Sequence, residues 1–354
     1  MNRNITMHRI RMGSIRTVLA PGIALTVGVI ILVADAVNTR NQQDDQFALP
    51  DDRSPASLLS FIREMDGSTE QAKNFLESSN FTEVAQAVVA ACKAIDDSAS
   101  TLTEQQQREV DYFRIIYSGY LIFDGSLEDP PELSDLIDRA MAFIDQATEF
   151  STREQTVSDS ILRTLEGRGS YQLAAKFAVG VNEFLEKDDS LKAQSYRQQL
   201  EQLQTRLRLP GQLMQLATKR LSGEPFNITD LRGKVVLIEF YGTRCKPCIA
   251  DFPALRRIYA DNRDSGFEIV GICLGAPAAR ISKFTEEHEL PWPQLCDDIT
   301  ASLDCNKELA DALGIQAVPS TILIDRSGVV RKLGVRPLSP NLTQDLETQL
   351  DKLL

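Results

Sequence analysis

The chain has 354 residues, of which 43% are hydrophobic and 25% charged, and its formal net charge at pH 7 is -12. Its length exceeds what one hydrophobic core usually serves, so two domains are expected, and its composition excludes a disordered chain. An acidic protein is repelled by polyphosphates and by anionic membrane surfaces, so neither nucleic acid nor such a surface is expected as the main partner.

The first segment in chain order, residues 1–37, has the features of an export sequence. Four arginines and no acidic residue lie in residues 1–16, and residues 17–34 carry no charge. An apolar run of this length is near the lower limit of about 17 to 25 residues for a membrane-spanning helix and longer than the roughly 7 to 15 of a signal peptide core. The small residues Ala34 and Ala36 are typical of a signal peptidase site. An N-terminal transmembrane anchor is therefore favoured, and a cleaved signal peptide stays open.

Both alternatives export the rest of the chain, because the positively charged flank is retained in the cytoplasm. We therefore predict a location in the cell envelope. An anchored protein would lie on the extracytoplasmic face of the membrane, and a cleaved one would be periplasmic or secreted. Disulfides persist in these compartments.

Residues 38–55 are predicted to form a polar linker, because they contain two prolines and no apolar periodicity. Residues 56–207 are predicted to form an all-helical domain, in which apolar positions recur at helical spacing and strand signals are nearly absent. Breaks at residues 66–67, 129–131 and 167–169 divide it into six or seven helices. The domain contains no catalytic arrangement of acids, histidines or glycine-rich loops. It acts either as a spacer or as a docking surface for another protein.

Residues 208–354 show an alternating α/β pattern. Two short strands around a turn precede KVVLIEFY, a continuous apolar run of the kind found in a strand buried on both faces. The next predicted elements are a helix from Pro247 to about Asn262, the strand FEIVGICLG, a helix from Ala278 to Glu289, a short strand after Trp292, the strands STILIDRSG and VVRKLGV, and a helix from Asn341 to Leu354. This order predicts a sheet with helices on both faces.

The motif Cys245-Lys246-Pro247-Cys248 lies where the buried strand ends and a helix begins. Residues three apart on a helix bring their side chains within about 5 to 6 Å, which matches the Cα separation that a disulfide requires. The free amides and the positive dipole end of a helix N-terminus can lower a cysteine pKa from about 8.5 into the range of roughly 3.5 to 7.5. Arg244 and Lys246 add positive charge. Cys245 is therefore the predicted nucleophile, and Cys248 is the shielded second thiol.

Two carboxylates are candidates to accept the proton that Cys248 loses. Glu239 lies within the buried strand, where desolvation raises a carboxyl pKa toward the range of a general base. A structural acid paired with a lysine is the alternative. Asp251 follows Cys248 by one helical turn, and its alternative role is an ordinary complement to the helix dipole.

The segments GKVVLIEFYGTRCKPCIADFPAL and ALGIQAVPSTILIDRSG resemble the membrane-anchored thioredoxin-like thiol-disulfide oxidoreductases, the TlpA/ResA group. The resemblance covers about residues 210–354 and implies an α/β thioredoxin-like fold. It implies that Cys245 and Cys248 are the redox pair, that Glu239 occupies the buried-acid position, and that Asp251 occupies a second acid position used in some members.

The same resemblance makes Pro253 the proline that kinks the active-site helix and Pro319 the cis-proline that faces the cysteines. The backbone of Val318 is then free to pair with a target peptide. We assign Val318 and Pro319, together with Arg244 and Lys246, to the substrate-binding surface. The chain departs from the family at Arg244, where a tryptophan is usual, which leaves the substrate-facing surface and the reduction potential open.

The other cysteines are assigned separately. Cys296 and Cys305 flank the loop DDITASLD and are predicted to form a structural disulfide, with free thiols and a regulatory pair as alternatives. Cys92 and Cys273 lie in apolar surroundings and are predicted to be buried core thiols.

No metal or bound cofactor is implied. A zinc site would need another close cysteine pair or nearby histidines, and the sequence has only His8 and His288. No cytochrome haem motif or glycine-rich phosphate loop is present in the sequence. A peroxidase that uses Cys245 alone is disfavoured by the second thiol beside it.

The favoured function is thus reduction of disulfides in exported proteins, with electrons from a membrane thiol carrier, as the resemblance implies. The motif does not fix whether the pair reduces or oxidises its targets. The alternative function is an envelope docking module, in which the helical domain is the working part and the thioredoxin-like domain is supportive.

Overall fold

The computed structural model describes residues 47–71, 81–98, 101–127, 131–298, 300–335 and 340–354. The predicted export segment at residues 1–37 lies outside them. Within the described residues, no helix combines the length and the apolar character needed to cross a membrane.

The helical domain has seven helices in the part of the chain that the structure describes: α1 Pro55–Gln71, α2 Phe81–Asp96, α3 Glu104–Asp124, α4 Pro131–Asp145, α5 Thr152–Gly167, α6 Tyr171–Leu185 and α7 Leu191–Leu207. Capping boxes begin two of them. Thr103 exchanges hydrogen bonds with Gln106 at the start of α3, and Ser151 does so with Glu154 at the start of α5. The apolar faces of α3 to α7 pack into one core. The prediction of an all-helical domain is confirmed.

The C-terminal part alternates strands and helices, in the order β1 Ala217–Lys219, β2 Pro225–Asn227, β3 Val235–Gly242, α8 Lys246–Asn262, β4 Phe267–Leu274, α9 Ala278–Glu287, β5 Gln294–Leu295, α10 Lys307–Ala312, β6 Ser320–Ile324, β7 Val330–Leu333 and α11 Pro340–Leu353. Strands β1 and β2 form a hairpin. The other five form one sheet in the order β5-β4-β3-β6-β7. β3 pairs in parallel with β4 and antiparallel with β6, so it is the central strand.

Both faces of this sheet are covered, and every residue of β3 is buried. Alternate residues of β3 point to opposite faces. Leu237 and Tyr241 pack with Cys248 and Phe252 of α8 on one face, where α9 and α11 also contribute. Val236, Ile238 and Phe240 pack on the other face, with α10 and the hairpin. The run KVVLIEFY thus forms the doubly buried strand that its composition predicts.

Two details differ from the sequence expectations. The sequence does not predict helix α10, because six residues are too few to show helical periodicity. The helix α9 ends at Glu287 rather than Glu289, because Glu289 adopts a φ of 50°, which a right-handed helix does not allow.

The helical and α/β domains lie within one compact unit that extends from Pro50 to Leu354. The hydroxyl of Tyr171 on α6 accepts a hydrogen bond from the backbone amide of Leu333 on β7, at 2.8 Å. The ring of Tyr171 also packs against the apolar core of each domain.

Candidate active site

The loop between β3 and α8 presents Cys245 at the start of the helix. Cys245 is the N-cap residue of α8, and its Sγ accepts a hydrogen bond from the backbone amide of Cys248 at 3.2 Å. Pro247 occupies the first turn, where its missing amide hydrogen costs nothing. The helix N-terminus therefore directs a donor at the sulfur of Cys245, as the sequence predicts, and that contact favours a thiolate when the pair is reduced.

Cys245 and Cys248 are joined by a disulfide, with their Cα atoms 5.3 Å apart. Their exposure differs. Cys245 is partly exposed, whereas Cys248 is fully buried beneath it. Only the sulfur of Cys245 is therefore open to an incoming thiol or disulfide. Arg244 and Lys246 are exposed on either side of it and place positive charge at the mouth of the site.

Two buried acids belong to β3 and α8, the elements that the Cys245 loop connects. Glu239 on β3 and Asp251 on α8 are each 2% exposed. Burial, and secondarily the charge of Asp251, raise the pKa of Glu239 from 4.5 to about 8. No described protein atom donates a hydrogen bond to Oε2 of Glu239. The alternative in which Glu239 is paired with a lysine therefore has no support at this oxygen.

A cis peptide bond joins Val318 and Pro319, immediately before β6. The structure brings this peptide beside the cysteines. A β-carbon added at Gly242 would lie 3.5 Å from a methyl carbon of Val318 and 3.7 Å from the β-carbon of Cys245. The cis-proline expected from the family resemblance is confirmed. Val318 and Cys245 lie at the same end of the sheet, where β3 ends and β6 begins.

Cys296 and Cys305 form a second thiol pair in one apolar core, and the backbone amide of Asp298 donates a hydrogen bond to the carbonyl oxygen of Cys305 at 2.9 Å. Both residues are buried, and burial raises the pKa of both thiols. The structural disulfide expected between them is not formed in this structure, where both are free thiols. In the folded chain, burial keeps both thiols protonated, and only a thiolate enters disulfide exchange.

The remaining two cysteines are core residues, as predicted. Cys92 and Cys273 are fully buried, and burial raises the pKa of each thiol to about 12. Neither is available for exchange in the folded chain.

Asn306 is a structural residue of this region that the sequence did not reveal. Its side-chain nitrogen donates to the carbonyl oxygens of Cys273 and Leu295, at 3.0 Å each, and its side-chain oxygen accepts from the amide of Asp297. Asn306 directly precedes α10, where an asparagine usually caps the helix, but its side chain makes no capping bond. The side chain instead ties the segment around Cys296 and Cys305 to β4 and β5.

A helix that begins with a disulfide after the central strand, with a cis-proline peptide beside it, defines a thioredoxin-like fold with a dithiol site. Residues 211–333 match the family model described as the AhpC/TSA family. The thioredoxin domain of a thiol-disulfide oxidoreductase from Bacteroides vulgatus matches with 24% identity and a TM-score of 0.35, covering 40% of this chain and 97% of that one.

Two curated relatives are thiol-disulfide oxidoreductases named ResA. The protein from Geobacillus thermodenitrificans is 34% identical over 113 residues, which cover 32% of this chain and 61% of that protein. The protein from Bacillus subtilis is 27% identical over 124 residues, which cover 35% of this chain and 65% of that protein. The chain thus spans less than two thirds of the length of either relative. Over about a third of its length the chain is thus similar to the AhpC/TSA family and to thiol-disulfide oxidoreductases named ResA.

Proposed function

We propose that the protein reduces disulfides of exported proteins by dithiol-disulfide exchange through Cys245 and Cys248. The observation that supports this proposal most is the unequal burial of the two bonded sulfur atoms. An accessible sulfur that caps a helix is suited to attack a target, and a buried sulfur bonded to it is suited to complete the exchange.

The proposed reaction has two exchange steps. The thiolate of Cys245 attacks one sulfur of the target disulfide, so the target bond breaks, a mixed disulfide forms, and the departing target thiolate takes a proton. The thiolate of Cys248 then attacks Cys245, which re-forms the enzyme disulfide and releases the second target sulfur as a thiol. The enzyme dithiol is oxidised by two electrons, and the target disulfide is reduced by the same two.

Glu239 is the proposed acceptor of the proton that Cys248 loses in the second step. A pKa of about 8 leaves a usable fraction of ionised carboxylate near neutral pH and makes that carboxylate basic enough to remove a thiol proton. Asp251 is proposed to tune this group, because its negative charge disfavours ionisation of Glu239. Both acids occupy the sheet-and-helix layer that also contains Cys248.

The proposed substrate surface combines a backbone contact with positive charge. An extended target segment would pair with the backbone of Val318 beside Pro319, which brings a target disulfide next to Cys245. Arg244 and Lys246 would face the same segment from the helix side and favour targets with acidic residues near their cysteines.

The remaining parts of the proposal concern the whole chain. Residues 56–207 and 208–354 are its two domains, and residues 1–37 anchor it to the extracytoplasmic face of the membrane. A membrane thiol carrier would supply the two electrons that reduce the Cys245–Cys248 disulfide after each turnover.

The reduction potential of the Cys245–Cys248 pair tests the proposed direction. Equilibration with a thiol redox buffer, followed by mass spectrometry of alkylated peptides, gives the potential. A value near the roughly -270 mV of thioredoxin supports a reductase, and a value near the roughly -120 mV of a strong oxidant contradicts it.

A further inference from the structure

The loop that precedes the cis-proline peptide contacts the helical domain. Gly314, in this loop, adopts a φ of 67°, and a β-carbon added there would overlap the carbonyl oxygen of Gln202 on α7. The same β-carbon would lie 2.9 Å from the backbone nitrogen of Arg206. The side-chain amide of Gln316 donates a hydrogen bond to the carbonyl oxygen of Gln199, at 2.8 Å. The backbone of α7 is therefore in direct contact with this loop.

The contact lies two residues from the substrate-binding peptide. Gln316 is bonded to α7, and Val318, two positions later, is the residue that flanks Gly242 opposite Cys245. A shift of the loop at Gln316 would therefore move the backbone of Val318 relative to the cysteine sulfur.

The segment that follows the cis-proline peptide is tied to the helical domain as well. β6 begins at Ser320 and pairs with β7, where Ile322 is opposite Leu333. The backbone amide of Leu333 donates its hydrogen bond to Tyr171 of α6. Helices of the same domain thus contact the chain before and after Pro319.

The helical domain is braced internally between these two contacts. Arg206 on α7 forms an ion pair with Glu166 on α5 at 2.6 Å, and each side chain is 16% exposed. Arg206 lies against Gly314, and Glu166 approaches Gly334, which follows β7. The helices that touch the two sides of the cis-proline segment are therefore linked to each other.

We propose that the helical domain positions the Val318–Pro319 peptide for polypeptide substrates, and that Gln316 is a positioning residue of the disulfide-exchange site. The inference rests on the proposed function of Cys245 and Cys248. It replaces the two roles that the sequence leaves open for the helical domain, a spacer and a remote docking surface, with a direct part in substrate binding.

The proposed positioning role should affect the binding of large substrates but not that of small ones. A polypeptide must pair with the backbone of Val318 to align its disulfide, so it requires an ordered loop. A small disulfide needs only access to the sulfur of Cys245. Loosening the loop therefore weakens binding of a polypeptide and leaves the exchange step itself unchanged.

The test compares Gln316→Ala with Gln199→Ala in the full chain. Gln316→Ala removes the hydrogen-bond donor, whereas Gln199→Ala keeps the acceptor, which is a backbone carbonyl oxygen. Reduction of insulin and of hydroxyethyl disulfide is measured with dithiothreitol as the reductant. We expect Gln316→Ala to raise KM for insulin by roughly two- to tenfold, the effect of one lost hydrogen bond, with kcat unchanged.

The same variant should leave reduction of hydroxyethyl disulfide and the pH profile of Cys245 alkylation unchanged, and Gln199→Ala should match the wild type throughout. An unchanged insulin KM in Gln316→Ala, or an equal loss with both substrates, overturns the positioning role. Cys245→Ser separates this failure from failure of the proposed function, because reduction by Cys245→Ser that exceeds the rate with dithiothreitol alone contradicts the function itself. Both glutamines are exposed, so neither variant is expected to unfold the chain.

Discussion

The two cysteine pairs of the α/β domain contact the same apolar core but lie in different electrostatic settings. Cys245 caps α8, is partly exposed, and is bonded to Cys248. Cys296 and Cys305 lie in the segments after β5 and before α10, are buried, and have thiol pKa values raised by burial. In both pairs the two cysteines are close together. Only in the first pair is one sulfur, that of Cys245, open to a substrate and placed where a helix amide stabilises its thiolate.

The surroundings of a cysteine pair, rather than its presence, therefore decide its chemistry. The first pair has a helix amide directed at one sulfur and a buried acid in the same layer. The second pair has neutral, shielded thiols, so it adds to packing until an oxidant reaches it.

Removing one sulfur from each pair should have very different effects on the two. Cys245→Ser should lower the rate of insulin reduction by about 10³-fold or more, because a serine hydroxyl cannot form the mixed disulfide. Cys305→Ser should keep the wild-type rate within about twofold, since it removes a shielded thiol of similar size. Equal losses in the two variants would contradict the assignment of the reactive pair.

A second prediction concerns Glu239, the buried acid in the same layer as the first pair. Glu239→Gln should slow the release of the mixed disulfide by about 10²-fold, the usual contribution of a general base. Ionised Glu239 is the proton acceptor, so the wild-type release rate should rise as pH increases toward about 8 and then level off. The variant should lose this inflection in single-turnover measurements of peptide release. An inflection that persists in Glu239→Gln would assign the proton to another group.

Oxidation of the buried pair should change the stability of the chain. We propose that Cys296 and Cys305 form a disulfide when the chain is oxidised during folding or after unfolding, because both belong to one buried cluster and a backbone hydrogen bond joins Asp298 to Cys305. Closing this short loop should raise the free energy of unfolding by roughly 2 to 3 kcal/mol. Denaturant titration of protein refolded under oxidising and reducing conditions measures the gain, with Cys305→Ser as the control. A gain that persists in Cys305→Ser would exclude this bond as its cause.

The buried acid also makes stability depend on pH. Below pH 4.5 Glu239 is protonated in both the folded and the unfolded chain. Between pH 4.5 and about 8 the unfolded chain ionises first, so the wild type loses stability as pH rises. Glu239→Gln lacks this loss, so its Tm relative to the wild type should increase across this range. A Tm difference that stays constant with pH would mean that Glu239 is not desolvated.

Much of the redox site could be predicted from local sequence. The apolar run around Glu239 predicts a buried strand, and a cysteine pair spaced by three with Pro247 between predicts a helix start. Both predictions depend on neighbours in the chain, so no tertiary information is needed. The cis-proline at Pro319 is different, because only the family resemblance indicated it.

The rest of the site depends on contacts between distant segments. Gln316 and Gln199 are 117 positions apart, and neither belongs to a motif. The bonding state of Cys296 and Cys305 depends on their burial, which the polar loop between them does not indicate. The sequence does not determine the role of the helical domain for the same reason, because its contact with the cis-proline loop joins segments that are distant in the chain.

The most direct test of the central claim is the pH dependence of alkylation of the reduced full chain, resolved for each cysteine by mass spectrometry. Cys245 should react with iodoacetamide with an apparent pKa below the value of about 8.5 for a free cysteine, while Cys296 and Cys305 should stay unmodified near neutral pH. Alkylation of Cys245 at neutral pH no faster than that of Cys305 would contradict the account.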